Sequence, residues 1–161
     1  PYSVSIALME GDRTVVGVVY EVTLREMFYA WEGCGAYLNG NIINVSKVSD
    51  LTNALIAVGF SYSALDGIPG FLDKVAWYQR NTDGIRRLGS ACADLVYLAC
   101  GRVDVFAQVN LSPWDVAAGA FIARQAGARV TDNSGGGNYV FGREIIAATP
   151  AVYDRFLETY L

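Results

Sequence analysis

Two short stretches carry residue types whose spacing suits chemistry. One reads Ser112-Pro113-Trp114-Asp115-Val116-Ala117-Ala118-Gly119. A proline and a bulky aromatic deliver one carboxylate to the mouth of an apolar helix of small residues. The first N–H groups of a helix have no partner within it, so a helix start is already an anion site. An aspartate held there can serve a metal ion, a phosphate ester, or only the helix, as a cap worth about 1 kcal/mol. The other stretch reads Arg86-Arg87-Leu88-Gly89-Ser90-Ala91, a strand feeding a helix through Gly-Ser-Ala. Small residues there let a ligand approach the backbone closely. Gly89 and Ser90 read equally well as an ordinary helix start.

Composition narrows the chemistry. The 161 residues include no histidine. That removes Ser-His-Asp and Cys-His catalysis and most zinc chemistry, leaving carboxylates, hydroxyls, amides or a hard metal ion. Three cysteines, Cys34, Cys92 and Cys100, are odd in number and fit no zinc spacing; their apolar neighbours predict buried, reduced thiols in a cytoplasmic protein. A net charge of -4 argues against nucleic acid or an anionic membrane as the main partner. It leaves a small phosphate ester open, because a bound divalent cation reverses the sign of a local field. No segment approaches the roughly 18 apolar residues that span a bilayer, and no signal peptide is visible. With 53% hydrophobic and 17% charged residues the chain reads as one compact unit with a buried core.

The elements that must position these residues fall into two groups. Residues 2–8 alternate, with Val4, Ile6 and Leu8 on one face, and pair across a turn at 10–13 with a valine-rich strand over 14–20. A third strand covers 26–31. Asn39-Gly40, flanked by Tyr37-Leu38 and Ile42-Ile43, is the strongest hairpin signal. Up to Val45 this is an antiparallel meander. Beyond it, a short helical cap at 49–51 precedes an apolar strand over 54–60, a polar loop over 61–70 and a helix over 71–79. Strands are predicted over 84–88, 103–109, 129–131 and 145–148. Helices are predicted from Gly89-Ser90 to Cys100, from Asp115 to Gly127, and over 152–160. Strands alternating with helices predict a second, mixed or mainly parallel sheet. In such sheets ligands collect beyond the carboxyl ends of strands, where the helices at Ser90 and Asp115 begin.

The motifs taken together are more specific. Gly-Ser-Ala-x-x-Asp-Leu-x-Tyr-x-Ala-x-Gly-Arg-x-Asp, from Gly89 to Asp104, precedes Pro-Trp-Asp-x-Ala-Ala-Gly, Gln125-Ala-Gly-Ala, Thr131-Asp132-x-Ser134-Gly-Gly and Ile145-Ile146-Ala147-Ala148-Thr149. In order and spacing this closely resembles the inositol monophosphatase family of magnesium-dependent, lithium-sensitive phosphatases. The Tyr37-Leu38-Asn39-Gly40 and Val45-Ser46 segments resemble that family's hairpin, so the likeness covers essentially the whole chain. It implies an α/β (α+β) fold, a layered α/β/α/β/α sandwich. Residues 1–48 would be the remainder of an antiparallel sheet of an amino-terminal subdomain, and residues 49–161 a carboxy-terminal α/β subdomain. It implies hydrolysis of a small phosphate monoester, inositol monophosphate first, by water activated on Mg²⁺. It implies a homodimer and a phosphorylated polyol or sugar as ligand; neither nucleic acid nor membrane is expected as partner, on the net charge of -4 and the lack of a spanning segment. Asp115 takes the family's role of metal ligand beside the substrate, and Gly89, Ser90 and Ala91 the contacts to ring hydroxyls.

Two departures stand out. The family's glutamate seven residues before the metal aspartate is Gln108 here, which can hydrogen-bond a hydroxyl without bringing a negative charge. Relatives acting on 3′-phosphoadenosine 5′-phosphate or fructose 1,6-bisphosphate are therefore alternative guides to the substrate. The family's other metal ligands, a glutamate pair and an Asp-Pro-x-Asp-Gly-Thr loop, match nothing in this sequence. Asp94 and Asp104 read as structural helix and strand-end residues, and Glu10 and Asp12 as turn residues. One carboxylate does not hold a pair of Mg²⁺ ions. The expectation is a chain whose amino-terminal metal-binding part lies upstream of Pro1 and which alone turns over slowly or not at all. A non-catalytic binding or assembly protein of the same fold is the rival reading.

Overall fold

The computed structural model describes residues 1–59 and 68–160. The first group of strands is the expected meander. β1 (Ser3–Glu10), β2 (Arg13–Glu21), β3 (Glu26–Trp31), β4 (Ala36–Leu38) and β5 (Asn41–Ile43) form a five-stranded sheet in sequence order, every pair antiparallel. Asn39 and Gly40 both take positive φ, 48° and 86°, as a two-residue hairpin of this type requires.

The second group is a mixed sheet of β6 (Leu55–Val58), β7 (Gly84–Arg86), β8 (Val105–Val109), β9 (Arg129–Thr131) and β10 (Glu144–Ala148), in the order β7-β6-β8-β10-β9. β6 runs parallel to β7 and β8, and β10 antiparallel to β8 and β9. Among the described residues four α-helices accompany it: α1 (Ile68–Asn81), α2 (Ala91–Ala99), α3 (Pro113–Gln125) and α4 (Pro150–Tyr160).

Several boundaries differ from expectation, each for a local reason. The polar loop ends before Ile68, since Pro69 sits in the first turn of α1, where a missing N–H costs nothing; residues 60–67 lie outside the described residues. β7 stops at Arg86, because Gly89 at φ +93° turns the chain so that Ser90 becomes the cap of α2. α3 begins at Pro113, capped by Ser112, so Asp115 is its third residue and not the cap itself. The three cysteines are free and only half-buried.

Packing follows the strand patterns. α2 and α3 lie between the two sheets: Val19, Phe28 and Ala30 of the first sheet share one core with Leu95, Leu98, Ile122, Phe106 and Ile145. α1 and α4 cover the other face of the second sheet, where Tyr78, Tyr153 and Phe156 meet Ile56, Val105 and Ile146. The second sheet is thus apolar on both faces, as its continuous hydrophobic runs require. The chain's own elements build four layers, sheet–helices–sheet–helices. Close approach keeps α3 on the first sheet: a Cβ on Gly17 of β2 would lie 2.8 Å from the carbonyl oxygen of Ala118. The outer face of the first sheet carries Val4, Ile6 and Leu8, which are 53%, 61% and 60% exposed. They pair with Tyr20, Val18 and Val16, beside a stack of Tyr29, Trp31 and Tyr37. Among the described residues nothing covers this face.

One buried polar junction ties the layers together. Asp104, at the entrance to β8, accepts hydrogen bonds from the Ser46 hydroxyl and, at 2.7 Å, from the Leu55 N–H. Its own carbonyl receives the Thr149 N–H at 2.9 Å. Burial demands such satisfaction, which agrees with a structural reading of Asp104.

Candidate active site

The two helix starts singled out in the sequence open onto one cavity of about 590 Å³. Gly89, Ser90, Ala91, Gln108 and Asp115 all line it, although they come from the β7–α2 turn and the start of α2, from β8, and from the first turn of α3. β7 and β8 both run parallel to β6, so their carboxyl ends deliver the two helix starts to the same edge of the sheet.

Ser90 caps α2, its hydroxyl accepting the Ala93 N–H at 3.4 Å. The same hydroxyl lies 3.3 Å from the Ser3 hydroxyl and 3.4 Å from the Cys92 thiol, so β1 closes one side of the cavity. At the other helix start, Asn110 turns at φ +60° and the Leu111 N–H is held by the Arg143 carbonyl at 3.1 Å. Ser112 and Pro113 then start α3. Oδ2 of Asp115 accepts the Ser112 N–H at 2.8 Å. One carboxylate oxygen is therefore spent on the helix, and the other is available to the cavity. Asp115 thus serves the helix start as the third residue of a capping box and also lines the cavity. The Gln108 amide lies directly over Gly59, where any side chain would overlap it. Trp114, 73% exposed, stands at the rim.

Two further lining residues escaped the sequence reading: Arg87 and Asp94. Asp94, read as structural, is 1% exposed, and its Oδ1 is buried without a hydrogen bond. Burial pushes its carboxyl up to about 7, against the opposing pull of the Arg87 charge. The available signal was its place one turn beyond Ser90, facing the same way as the helix start.

Among the described residues no three His, Cys, Asp or Glu side chains gather as a metal site. Among the described residues Asp115 and Asp94 are the only carboxylates on the cavity wall. These residues do not fit a complete magnesium centre, which needs near-octahedral oxygen ligation. A second cavity of about 430 Å³, beside Phe121 and Tyr139, offers no rival site. Its arginines are engaged, Arg13 with Glu10 and Glu32, and Arg124 with the Tyr139 hydroxyl.

The sequence pattern that defines the inositol monophosphatase family matches residues 1–160. The chain belongs to the inositol monophosphatase family. It is 40% identical over 156 residues to the Nus factor SuhB of Escherichia coli K12, covering 97% of this chain and 58% of that protein. It is 36% identical over 157 residues to the fructose-1,6-bisphosphatase/inositol-1-monophosphatase of Thermotoga maritima, covering 98% and 59%. Among solved structures, the inositol monophosphatase of Anabaena superposes with a TM-score of 0.94 at 32% identity, over 99% of this chain and 64% of that one. The suhB protein of Bartonella henselae gives 0.92 at 36%, over 98% and 60%. The chain thus spans about three fifths of the length of these relatives. Family membership places it in a superfamily of phosphatases with this layered mixed α/β fold.

Proposed function

We propose that the cavity between the starts of α2 and α3 is the substrate side of a phosphate monoester hydrolase site, with inositol monophosphate the foremost substrate. The observation that carries the reading is the convergence of Gly89, Ser90, Ala91, Gln108 and Asp115 on one cavity from the start of α2, from β8 and from the start of α3. The backbone N–H groups at two helix starts favour a negatively charged ligand. Ser90 and Gln108 supply hydroxyl and amide groups suited to a polyol, and the Gly89 turn lets it approach the backbone.

Asp115 has one oxygen to offer a cation. A magnesium ion completed by ligands beyond the described residues would supply Lewis-acid activation of water there. The residues described here orient the ester and hold one edge of that ion's environment; the remaining ligands are not among them. The family likeness supports magnesium dependence, lithium sensitivity, a homodimer and a cytoplasmic setting, and the net charge of -4 supports a small phosphorylated polyol or sugar over nucleic acid. Among the described residues no helix is long and apolar enough to cross a membrane.

A second reading keeps the chemistry and changes the substrate. Gln108 brings no negative charge to the ligand, which leaves room for fructose 1,6-bisphosphate or 3′-phosphoadenosine 5′-phosphate. The test is phosphate release by the product of the complete reading frame containing this chain, with Mg²⁺, on inositol 1-phosphate and these two esters. Release from any of them that Asp115→Asn abolishes supports the site. Activity on none would leave the non-catalytic reading standing.

A further inference from the structure

β1 turns two serines toward the helices. Its inward positions are Ser3, Ser5, Ala7 and Met9, which alternate with the exposed Val4, Ile6 and Leu8. A strand face that packs on helices calls for apolar side chains. The two polar exceptions, Ser3 and Ser5, are the ones that line the cavity of about 590 Å³, and Ala7 and Met9 lie outside it. Backbone pairing fixes Ser3 in place. It stands opposite Glu21 of β2, and the Val22 N–H donates to the neighbouring Tyr2 carbonyl at 3.1 Å. The half-buried Ser3 hydroxyl lies 3.3 Å from the Ser90 hydroxyl and 3.3 Å from the Cys92 thiol, which are 3.4 Å from each other. One lone pair of the Ser90 oxygen is taken by the Ala93 N–H. Neither neighbour satisfies the Ser3 proton well. The contact between the two hydroxyls is longer than the about 2.7–2.8 Å of a well-made O–H···O bond, and a thiol sulfur is a weak acceptor. A hydroxyl held this loosely has its proton to give to a stronger acceptor in the cavity.

We infer that Ser3 is a ligand contact of the cavity, donating its hydroxyl proton to a ring hydroxyl oxygen of a phosphorylated polyol. Ser3 adjoins Ser90, so its ligand atom belongs to the part of the ligand that the α2 start serves, and not to the part beside Asp115 at the α3 start. A neutral hydroxyl that both donates and accepts suits a ligand hydroxyl of the same kind. The inference rests on the cavity being a phosphate-ester site. It extends that site to the first sheet, so that β1 shares in reading the polyol. Cys92 fills space beside the serine and has no share in the contact.

Two probes separate a polyol contact from a phosphate contact, and a second variant separates a ligand contact from packing. The experiment is phosphate release with Mg²⁺ by the product of the complete reading frame containing this chain. It reads kcat/KM for inositol 1-phosphate and the inhibition constant of the product, inorganic phosphate. Ser3→Ala is expected to lower kcat/KM about fivefold, the net worth of one neutral hydrogen bond, and to leave the phosphate inhibition constant and the melting temperature unchanged. Cys92→Ala removes the thiol that competes for the Ser3 proton, so its kcat/KM should equal or exceed that of the parent. Three results would each overturn the assignment. Unchanged kcat/KM in Ser3→Ala would remove the contact. Phosphate inhibition weakened as much as kcat/KM would move the contact to the phosphoryl group. A loss in Cys92→Ala as large as that in Ser3→Ala would make the serine a packing partner of the thiol. In all three cases a parent that releases phosphate from inositol 1-phosphate leaves the phosphate-ester reading intact. A parent that releases none takes down the polyol-phosphate reading and this one with it.

Discussion

Gly119 of α3 lies directly against Leu95 of α2: a Cβ on Gly119 would sit 2.8 Å from the Leu95 Cβ and 3.4 Å from the Cys92 carbonyl oxygen. The two helices therefore cross at a glycine. That crossing sets how far apart their starts, at Ser90 and Asp115, can stand.

Gly119→Val is accordingly expected to push α3 from α2 and widen the cavity. Overpacking of a tight contact costs about 1–3 kcal/mol. Chemical denaturation should show that loss, and titration with inositol 1-phosphate should show weaker binding. Full stability with weakened binding would mean that the crossing yields easily.

Asp115→Asn isolates the ligand role from the capping role. The cap is worth about 1 kcal/mol, so the melting curve should shift only modestly. Phosphate release by the product of the complete reading frame should fall at least about a hundredfold, as when a transition-state charge contact is lost. Parallel losses of activity and stability would reduce Asp115 to a helix residue.

Gly59→Ala tests the seat of Gln108. The new methyl group displaces the Gln108 amide, the mobile end of a side chain, so folding should be little affected. Affinity for a polyol phosphate should drop several-fold while affinity for inorganic phosphate stays constant. Equal loss for both would remove Gln108 from hydroxyl recognition.

Acid–base behaviour separates two aspartates. Burial raises the Asp94 carboxyl to about 7, so the folded chain binds the proton more tightly than the unfolded chain. Its contribution is favourable at low pH and is lost as pH rises from about 4 to 7, up to roughly 4 kcal/mol over that span. Asp132 is the opposite case. The Ser134 hydroxyl and the Gly136, Asn138 and Ser134 N–H groups hold its carboxyl below the ordinary range. That stability is present above the unfolded value and is lost as pH falls through the folded one. Denaturation across pH should therefore show Asp94→Asn flattening the neutral-side decline, and Asp132→Asn flattening the acid-side one. A decline toward neutrality that Asp94→Asn leaves untouched would assign it to other groups.

The outer face of the first sheet predicts association. Val4, Ile6 and Leu8 stand on an edge strand beside a stacked aromatic row, with apolar area open to water. Sedimentation velocity of the 161-residue chain should show concentration-dependent self-association, and Ile6→Lys should suppress it. A chain that stays monomeric at all concentrations would contradict this.

Much of this was written in local signals. Asn39-Gly40 marks its hairpin because only that backbone geometry matches the twist of the flanking strands. The alternation of β1 and the unbroken apolar run of β6 distinguish a sheet covered on one face from a sheet covered on both. The Pro-Trp-Asp and Gly-Ser-Ala starts were legible because capping and tight turns restrict residue type over a few positions. The family likeness, carried by motif order, was legible for the same reason.

What lay beyond the sequence were relations between segments distant in the chain. Asp94 looks like any helical carboxylate until α2 is docked; only then is it buried on the wall of the cavity that holds Ser90 and Asp115. Gln108 is an ordinary strand residue until β6 lies parallel to β8 and places Gly59 beneath its amide. Asp115 belongs to the helix and to the cavity at once, which no spacing reveals. The sequence by itself determined the elements, because propensities, caps and turns act over a few residues. Only the tertiary structure decided which charges are desolvated and which side chains share a space, because burial and electrostatics depend on distance in the fold and not along the chain.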